Sequence, residues 1–334
     1  MSGVTGALGL TAEEVAEVLG AAVLAPSVHN TQPWRFRLLP DRIELHPDPD
    51  RVLPATDPEG RELRLSCGAA LFNLRLALLG LGVRPLVTLV PGDDAPGALA
   101  VVRRGGRRAP DDDTRRLLDA VPLRRTNRLP FAPGGVPVDQ RRALLRAAER
   151  ERAWLHLVGP TEIDRVRELA VKAHRLQLED AEVRGELSEW SATRPCGDGV
   201  PHASAGLRPA PDDGWPMRDF RGAERAADEA YEPDPLVAVL CSFYEGPAAE
   251  LQSGQALQRV LLTATALGLA ASFLSQVIEV RPVREELRRS LGGTLVPQTV
   301  LRLGVGATVP ERPRRDVADL VLPVGQRVPK FWVQ

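Results

Sequence analysis

The stretch Pro26-Ser27-Val28-His29-Asn30-Thr31-Gln32-Pro33-Trp34 packs small, hydroxyl and amide side chains into a turn and then enters a strand. Upstream, Thr11 and Glu14 read as a capping box that opens a helix. Apolar Val15, Val18, Leu19, Ala22 and Val23 recur at helical spacing, and Pro26 stops the run. Downstream, residues 35–39 and 42–46 alternate as strands about the turn at Pro40-Asp41. Asn30 and Gln32 each offer donors and an acceptor, which suits the rim of a heteroaromatic ring with C=O and N–H groups. Ser, Asn and Pro also favour turns on their own account, so composition alone leaves a plain turn open.

Working outward, the pattern predicts a long helix over about 59–81, a strand at 86–90 and a short strand at 98–102. Residues 105–113 read as a charged loop. A second round begins at Val121, with a helix from about Val138 that includes 141–150, a strand at 154–158 and a helix over about 161–187. Residues 195–235 carry many prolines, glycines and aspartates with little periodicity, which predicts a long loop; such loops are usually functional or mobile. A buried strand at 236–242, an apolar helix over 250–271 and a closing strand at 298–305 complete the chain.

The two apolar helices align as a weak repeat. Gly68 and Gly82 lie fourteen apart, as do Gly254 and Gly268, and in that register Ala70, Leu71, Leu76 and Leu81 meet Ala256, Leu257, Leu262 and Leu267. Any two Ala/Leu helices share some matches, but the glycine spacing and the common helix–strand order favour duplication. Duplication predicts that the two helices pack against one another across an internal pseudo-dimer interface.

The chain has 334 residues, 43% of them apolar and 26% charged, as in ordinary globular proteins. Its 43 basic and 44 acidic residues leave a net charge of −1, which removes the usual electrostatic argument for nucleic acid. Cys67, Cys196 and Cys241 show no C-x-x-C pairing, and His29, His46, His156, His174 and His202 no H-E-x-x-H spacing, so no metal site is expected. The start of the chain lacks the pattern of a secretory signal. Residues 260–278 are uncharged over 19 positions, near spanning length, but Thr263, Thr265, Ser272, Ser275 and Gln276 favour a buried helix running into a turn. The expectation is a soluble, cytoplasmic chain that engages neither membrane nor nucleic acid.

Three further segments bear on chemistry. In Arg124-Arg125-Thr126-Asn127-Arg128, an extended backbone puts Arg124, Thr126 and Arg128 on one side, a plausible phosphate cradle; an arginine-rich surface strand would look the same. The run from Gly268 to Gln276 leaves a helix through small residues, letting a planar ligand approach the backbone. Arg312-Pro313-Arg314-Arg315 is a second basic cluster.

Together these segments resemble the flavin-dependent nitroreductase superfamily. The loop at 26–34 is similar to its P-S-x-x-N-x-Q-P-W signature at every fixed position. Residues 124–128 resemble its R-R-S-x-R/K phosphate segment, with Thr for Ser, and 266–272 its A-L-G-L-G-S run, with alanine at the second glycine. The duplication, the element Asp198-Gly199-Val200-Pro201 and the long loop after it resemble the Acg-type branch. The resemblance implies an α+β, nitroreductase-like fold of two tandem degenerate halves, 1–120 and 121–334. Each half would have a central, mostly antiparallel sheet flanked by helices, the second with a lid-like insertion at about 195–235.

Ordinary members are homodimers in which one subunit's loop meets the other's arginine segment at each flavin. Here the first half has the loop and the second the arginines, while 149–155 has lost the loop motif. The resemblance thus implies one complete FMN site per chain and one degenerate one, in a monomer or a homodimer. Arg124, Thr126, Arg128, Arg314 and Arg315 would hold the phosphate, Ser27, Val28 and Asn30 would contact ribityl and ring, and Leu274, Ser275 and Gln276 would line the other side. FMN would take hydride from NAD(P)H and pass electrons to a nitroaromatic or quinone-like small-molecule acceptor, with no side chain needed as nucleophile. His29 is either an acid near the ring or a turn residue without catalytic duty. A lid over the flavin also implies an alternative, an FMN storage or sequestration protein with little nitroreductase activity.

Overall fold

A computed structural model describes residues 4–191, 197–210, 213, 215–224, 231, 235–326 and 328. Cys196 and part of the 195–235 insertion lie outside the described residues. Helix α1 (Ala12–Ala22) starts at the capping box, with Thr11 accepting from the Glu14 N–H and Glu14 from the Thr11 N–H. Strands β1 (Trp34–Leu39) and β2 (Arg42–Pro47) follow, then α2 (Arg61–Gly80), β3 (Val83–Leu89), β4 (Ala100–Arg107) and α3 (Asp112–Ala120). The second round runs α4 (Val138–Arg150), β5 (Trp154–Leu157), α5 (Ile163–Glu179), α6 (Ala181–Trp190), β6 (Leu236–Ser242), α7 (Pro247–Ala266), β7 (Ala270–Phe273), α8 (Gln276–Glu279), α9 (Arg281–Ser290) and β8 (Val296–Gly304).

The strands form two four-stranded sheets, β1-β2-β4-β3 and β5-β6-β8-β7, antiparallel throughout. The architecture is α+β, and both sheets share one strand order with a long helix between their second and third strands. In β1 the buried residues alternate, Trp34, Phe36 and Leu38 facing the α1–α2 core. Strands β6 and β8 are buried along their whole length. Helices α4 and α7 cover one face of their sheet, and α5, α8 and α9 cover the other, so these strands read as continuous apolar runs.

Helices α2 and α7 cross at the glycines singled out from the repeat. A Cβ on Gly68 would lie 2.2 Å from the Leu251 carbonyl oxygen and 2.9 Å from the Gly254 Cα. One on Gly254 would lie 2.1 Å from the Leu65 carbonyl oxygen. The second glycine of each pair, Gly82 and Gly268, follows its helix with φ +75°, the left-handed conformation that ends helices and suits glycine. Fourteen residues is therefore the distance from helix crossing to helix stop.

Four sequence expectations need correction. The apolar helix ends at Ala266 and not at 271, because Gly268 terminates it, and the uncharged stretch 260–278 divides among α7, β7 and α8. The helix expected over 161–187 breaks at Asp180, whose carboxylate accepts from the Glu182 and Val183 N–H groups and caps α6. The charged segment 105–113 contains the end of β4 and the start of α3, capped by Asp111. Among the described residues the one helix long and apolar enough to cross a membrane is α2, and it packs inside the protein.

The glycine crossing makes a direct prediction. Gly68→Ala and Gly254→Ala each force a methyl group into backbone, and urea unfolding should show a loss of about 3 kcal/mol. Gly20→Ala, on an open face of α1 with nothing within 4 Å, should instead gain about 0.5–1 kcal/mol from helix propensity.

Candidate functional site

The loop after α1 is held in an unusual backbone conformation. His29, Asn30 and Gln32 have φ of 51°, 58° and 52°, a region that costs a non-glycine residue about 1–3 kcal/mol. Side-chain bonds hold it there. Ser27 Oγ accepts from the Gln32 N–H at 2.9 Å. Asn30 Nδ2 donates to the Gly199 carbonyl at 3.0 Å and to that of Pro313 at 3.3 Å, and its Oδ1 accepts from Arg314 at 3.0 Å. Gln32 Nε2 donates to the Gly197 carbonyl at 2.9 Å, while its Oε1 accepts from the Arg315 N–H at 3.0 Å. Both amides thus bind the chain's own backbone, where the sequence suggested a ligand rim.

The arginine segment lies beside the second sheet. Thr126 bridges Ala271 of β7 in parallel, and the Asn127 N–H donates to the Ala271 carbonyl at 2.8 Å. Beyond β8, Arg312 donates to the Thr126 carbonyl at 2.9 Å. A narrow cleft with a cavity volume of about 60 Å³ opens between these parts. Ser27, Val28 and His29 line it from the loop, Glu62, Leu65 and Ser66 from α2. Thr126, Arg128 and Arg312 form its basic side, and Leu257, Phe273, Ser275 and Gln276 its far side. Met217, Arg218 and Phe220 close it from the insertion.

The insertion is tied down beside the cleft. Gln276 Nε2 donates to the Pro216 carbonyl at 2.7 Å, and Tyr231 donates its hydroxyl to the Arg128 carbonyl at 2.7 Å. The Arg128 guanidinium stacks 4.4 Å from the Phe220 ring centroid. His29 meets the same ring edge-on. Burial first, then the Arg218 and Arg128 charges, holds His29 well below the usual histidine range, so it is neutral at pH 7 and is not a cationic acid.

The electrostatics are one-sided. Arg124 is buried, and Arg128, Arg312 and Arg314 are half-buried. Burial pulls Arg124 down to about 9 and Arg128 and Arg314 to about 10, and neighbouring guanidiniums contribute in each case. Arg312, facing Arg124, Arg125, Arg128 and Arg314, is lowered most strongly, again mainly by burial. All stay charged at neutral pH. Among the described residues the Nε and Nη1 atoms of Arg124 have no hydrogen-bond partner, although buried cations are normally paired.

Of the residues singled out from sequence, Ser27, Val28, Thr126, Arg128, Ser275 and Gln276 face the cleft. Arg124 and Arg314 stand behind its basic side, and Asn30 clamps the loop. Leu274 is packed in the core, its N–H donating to the Val300 carbonyl at 2.9 Å. Arg315 points elsewhere, to Asp48 at 2.9 Å and to the Gln32 carbonyl at 3.2 Å. Sequence reasoning quoted Arg312 without giving it a role and missed Glu62, Ser66 and Arg218. The only signal for Glu62 was a carboxylate at the head of an apolar helix.

No family model matches the chain. It is 36% identical over 320 residues to the Mycobacterium tuberculosis H37Rv protein named "Putative NAD(P)H nitroreductase Rv3131", covering 93% of this chain and 91% of the relative. The chain belongs to the nitroreductase family. It is also 29% identical over 320 residues to "Putative NAD(P)H nitroreductase acg" of the same organism, covering 93% and 96%. Solved structures similar to this nitroreductase-family chain include a nitroreductase with bound FMN from Desulfitobacterium hafniense DCB-2, with a TM-score of 0.38, 16% identity, and coverage of 60% of this chain and 93% of that one. Another is a nitroreductase with bound FMN from Bacteroides fragilis NCTC 9343, with a TM-score of 0.36, 16% identity and coverage of 64% and 97%.

The unpaired arginines predict how this nitroreductase responds to anions. Inorganic phosphate should raise the thermal midpoint of the ligand-free chain, worth about 2.7 kcal/mol at a hundredfold excess over Kd. Arg124→Met should abolish the response without lowering the midpoint in phosphate-free buffer, since it removes a buried charge that lacks a counter-ion. A wild-type midpoint indifferent to phosphate would overturn the assignment.

Proposed function

We propose that the chain is a cytoplasmic FMN-binding oxidoreductase that uses NAD(P)H to reduce nitroaromatic or quinone-like acceptors. The observation that carries this reading is the cluster of Arg124, Arg128, Arg312 and Arg314, which forms no ion pair among the described residues, set beside the Pro26–Trp34 loop. The donor set fits FMN. Planar guanidiniums match a phosphate, the unpartnered Arg124 nitrogens supply free donors, and the cleft combines apolar walls with hydroxyl and amide groups.

In this reading Arg124, Arg128, Arg312 and Arg314 hold the phosphate with Thr126. Ser27 and Val28 contact ribityl and ring, and Ser275 and Gln276 line the opposite side. Asn30, Gln32 and Arg315 keep the loop in its strained shape. The parts 1–120 and 121–334 then act as two halves that share one complete site. FMN supplies the two-electron chemistry, accepting hydride from the nicotinamide and releasing it to the acceptor. The chain's own share is positive charge for an anionic coenzyme and walls that exclude water.

Met217, Arg218 and Phe220 cover the cleft, and that cover favours a second reading, storage or shielding of FMN with little turnover. Anaerobic stopped-flow mixing decides between them. Rapid bleaching of bound flavin by NADPH or NADH supports the oxidoreductase, and absence of bleaching supports storage. Deleting residues 203–230 should accelerate bleaching where the cover limits access. Both readings require the purified chain to be yellow and to release FMN on denaturation. They also require that the Asn30→Ala/Arg124→Ala double variant lose the pigment; a colourless wild type that takes up no FMN overturns both.

A further inference from the structure

Helix α2 begins beside three carboxyl groups that the reading above does not use. Asp57 precedes the helix and accepts from the Leu63 N–H at 2.8 Å. Glu62, in the first turn, is only 6% exposed. Among the described residues its Oε1 has no hydrogen-bond partner, although a buried polar atom ordinarily finds one. Glu279, at the end of α8, binds Arg218 and accepts from Gln177 at 2.7 Å, and its Oε1 is also without a partner.

Glu62 stands in a wall between two cavities. On one side it lines the cleft that holds Ser27, Arg128 and Gln276. On the other it lines a separate cavity of about 330 Å³, together with Asp57, Arg61 and Glu279. The charged groups facing it are Asp57 before α2, Arg61 on α2, Glu279 on α8 and Arg218 on the covering segment. Burial, then the charges of Glu279 and Asp57, raises the Glu62 carboxyl well above the usual range, partly offset by the two arginines. Burial also lifts Asp57 to about 7. Glu62 is thus biased toward its protonated form inside the wall of the cleft, while Asp57 exchanges a proton near neutral pH.

We propose that Glu62 is the proton donor to the acceptor in the cleft and is recharged from the outer cavity through Asp57. The proposal rests on the oxidoreductase reading. Reducing a quinone-like acceptor takes two electrons and two protons. NAD(P)H, oxidised to NAD(P)+, provides a hydride through FMN, which is both electrons and one proton. Glu62 supplies the other proton: its O–H bond breaks, an O–H bond forms on the acceptor oxygen, and a carboxylate remains. Water in the outer cavity returns a proton to that carboxylate by way of Asp57. The net change is one NAD(P)H, one solvent proton and one quinone to NAD(P)+ and hydroquinone. His29, neutral and flanked by arginines, is not suited to the task.

The test uses the full chain and Glu62→Gln, which keeps size and hydrogen bonding but has no proton to give. Infrared titration of the flavin-free protein should show a protonated-carboxyl band that persists at pH 7, fades at higher pH and is missing in Glu62→Gln. With FMN bound, Glu62→Gln should lower the rate of acceptor reduction relative to the rate of flavin bleaching by about a hundredfold and lose the solvent isotope effect. Glu62→Asp should restore part of both. Asp57→Asn, which keeps Glu62, should slow the acceptor step increasingly as pH rises above 7. Absence of the band at pH 7 in the wild type overturns the proposal even where FMN binds, as does an unchanged ratio of rates in Glu62→Gln. Where Glu62→Gln fails to fold, an unchanged pH profile in Asp57→Asn overturns it. A chain that binds no FMN but shows the band defeats the oxidoreductase reading by a separate result.

Discussion

Gly68 and Gly254 meet where α2 crosses α7, and the absence of two side chains lets the backbones come into contact there. That close approach sets the spacing of everything on either side. Glu62, Leu65 and Ser66 reach the cleft from α2, and Leu257 reaches it from α7 one turn beyond the crossing. A bulkier contact would move these walls apart, because packed helices adjust by shifting as units. The strand order common to both sheets carries the loop at 26–34 on one side of this crossing and the arginines at 124–128 on the other. The site is thus a product of how the two helices touch more than of any local motif.

The second constraint is electrostatic. Among the described residues Arg124, Arg128, Arg312 and Arg314 form no ion pair, whereas the buried Arg64 pairs with Glu250 and Arg315 with Asp48. On the proposed reading, that contrast separates a receptor for an anion from a general abundance of arginine. The opposite imbalance occurs at the head of α2. Asp57 and Glu62 crowd together there, and the cost of ionising both in a buried place favours their protonated forms. A cleft with fixed positive charge on one side and a held proton on another is suited to chemistry in which negative charge arrives and is neutralised.

Much of this was legible in the chain. The glycines at 68 and 254 marked the helix crossing, because only glycine tolerates such contact, but the stop at Gly268 was missed because the apolar run continues past it to 271. The loop at 26–34 and the segment at 124–128 could be read because backbone shape and charge leave local marks. Other features left none. Asp111-Asp112-Asp113 opens α3 by capping and dipole effects, in a charged segment without an apolar run to announce it. Asp180 divides a helix by the same device. Arg312 and Arg315 sit in one cluster and look alike, but an extended backbone turns the first toward the cleft and the second toward Asp48. Glu62 was hidden by its position, since a carboxylate in the first turn of a helix is ordinarily explained by the helix dipole.

The signature amides join these parts mechanically. Asn30 and Gln32 bind Gly199 and Gly197 of the covering segment and, with the same two side chains, engage Pro313, Arg314 and Arg315 near the C-terminus. The strained φ values of the loop are held by those bonds, so cover, loop and basic segment form one connected unit. A displacement of the cover at Gly197 to Gly199 would remove two of the bonds that hold the left-handed residues and would loosen the partner of Arg314. Access to the cleft and the grip of its basic side are therefore coupled through two amide side chains. A change at either amide is expected to act on both, which is why a loss of pigment on altering Asn30 reports on the whole clamp and not on a single ligand contact.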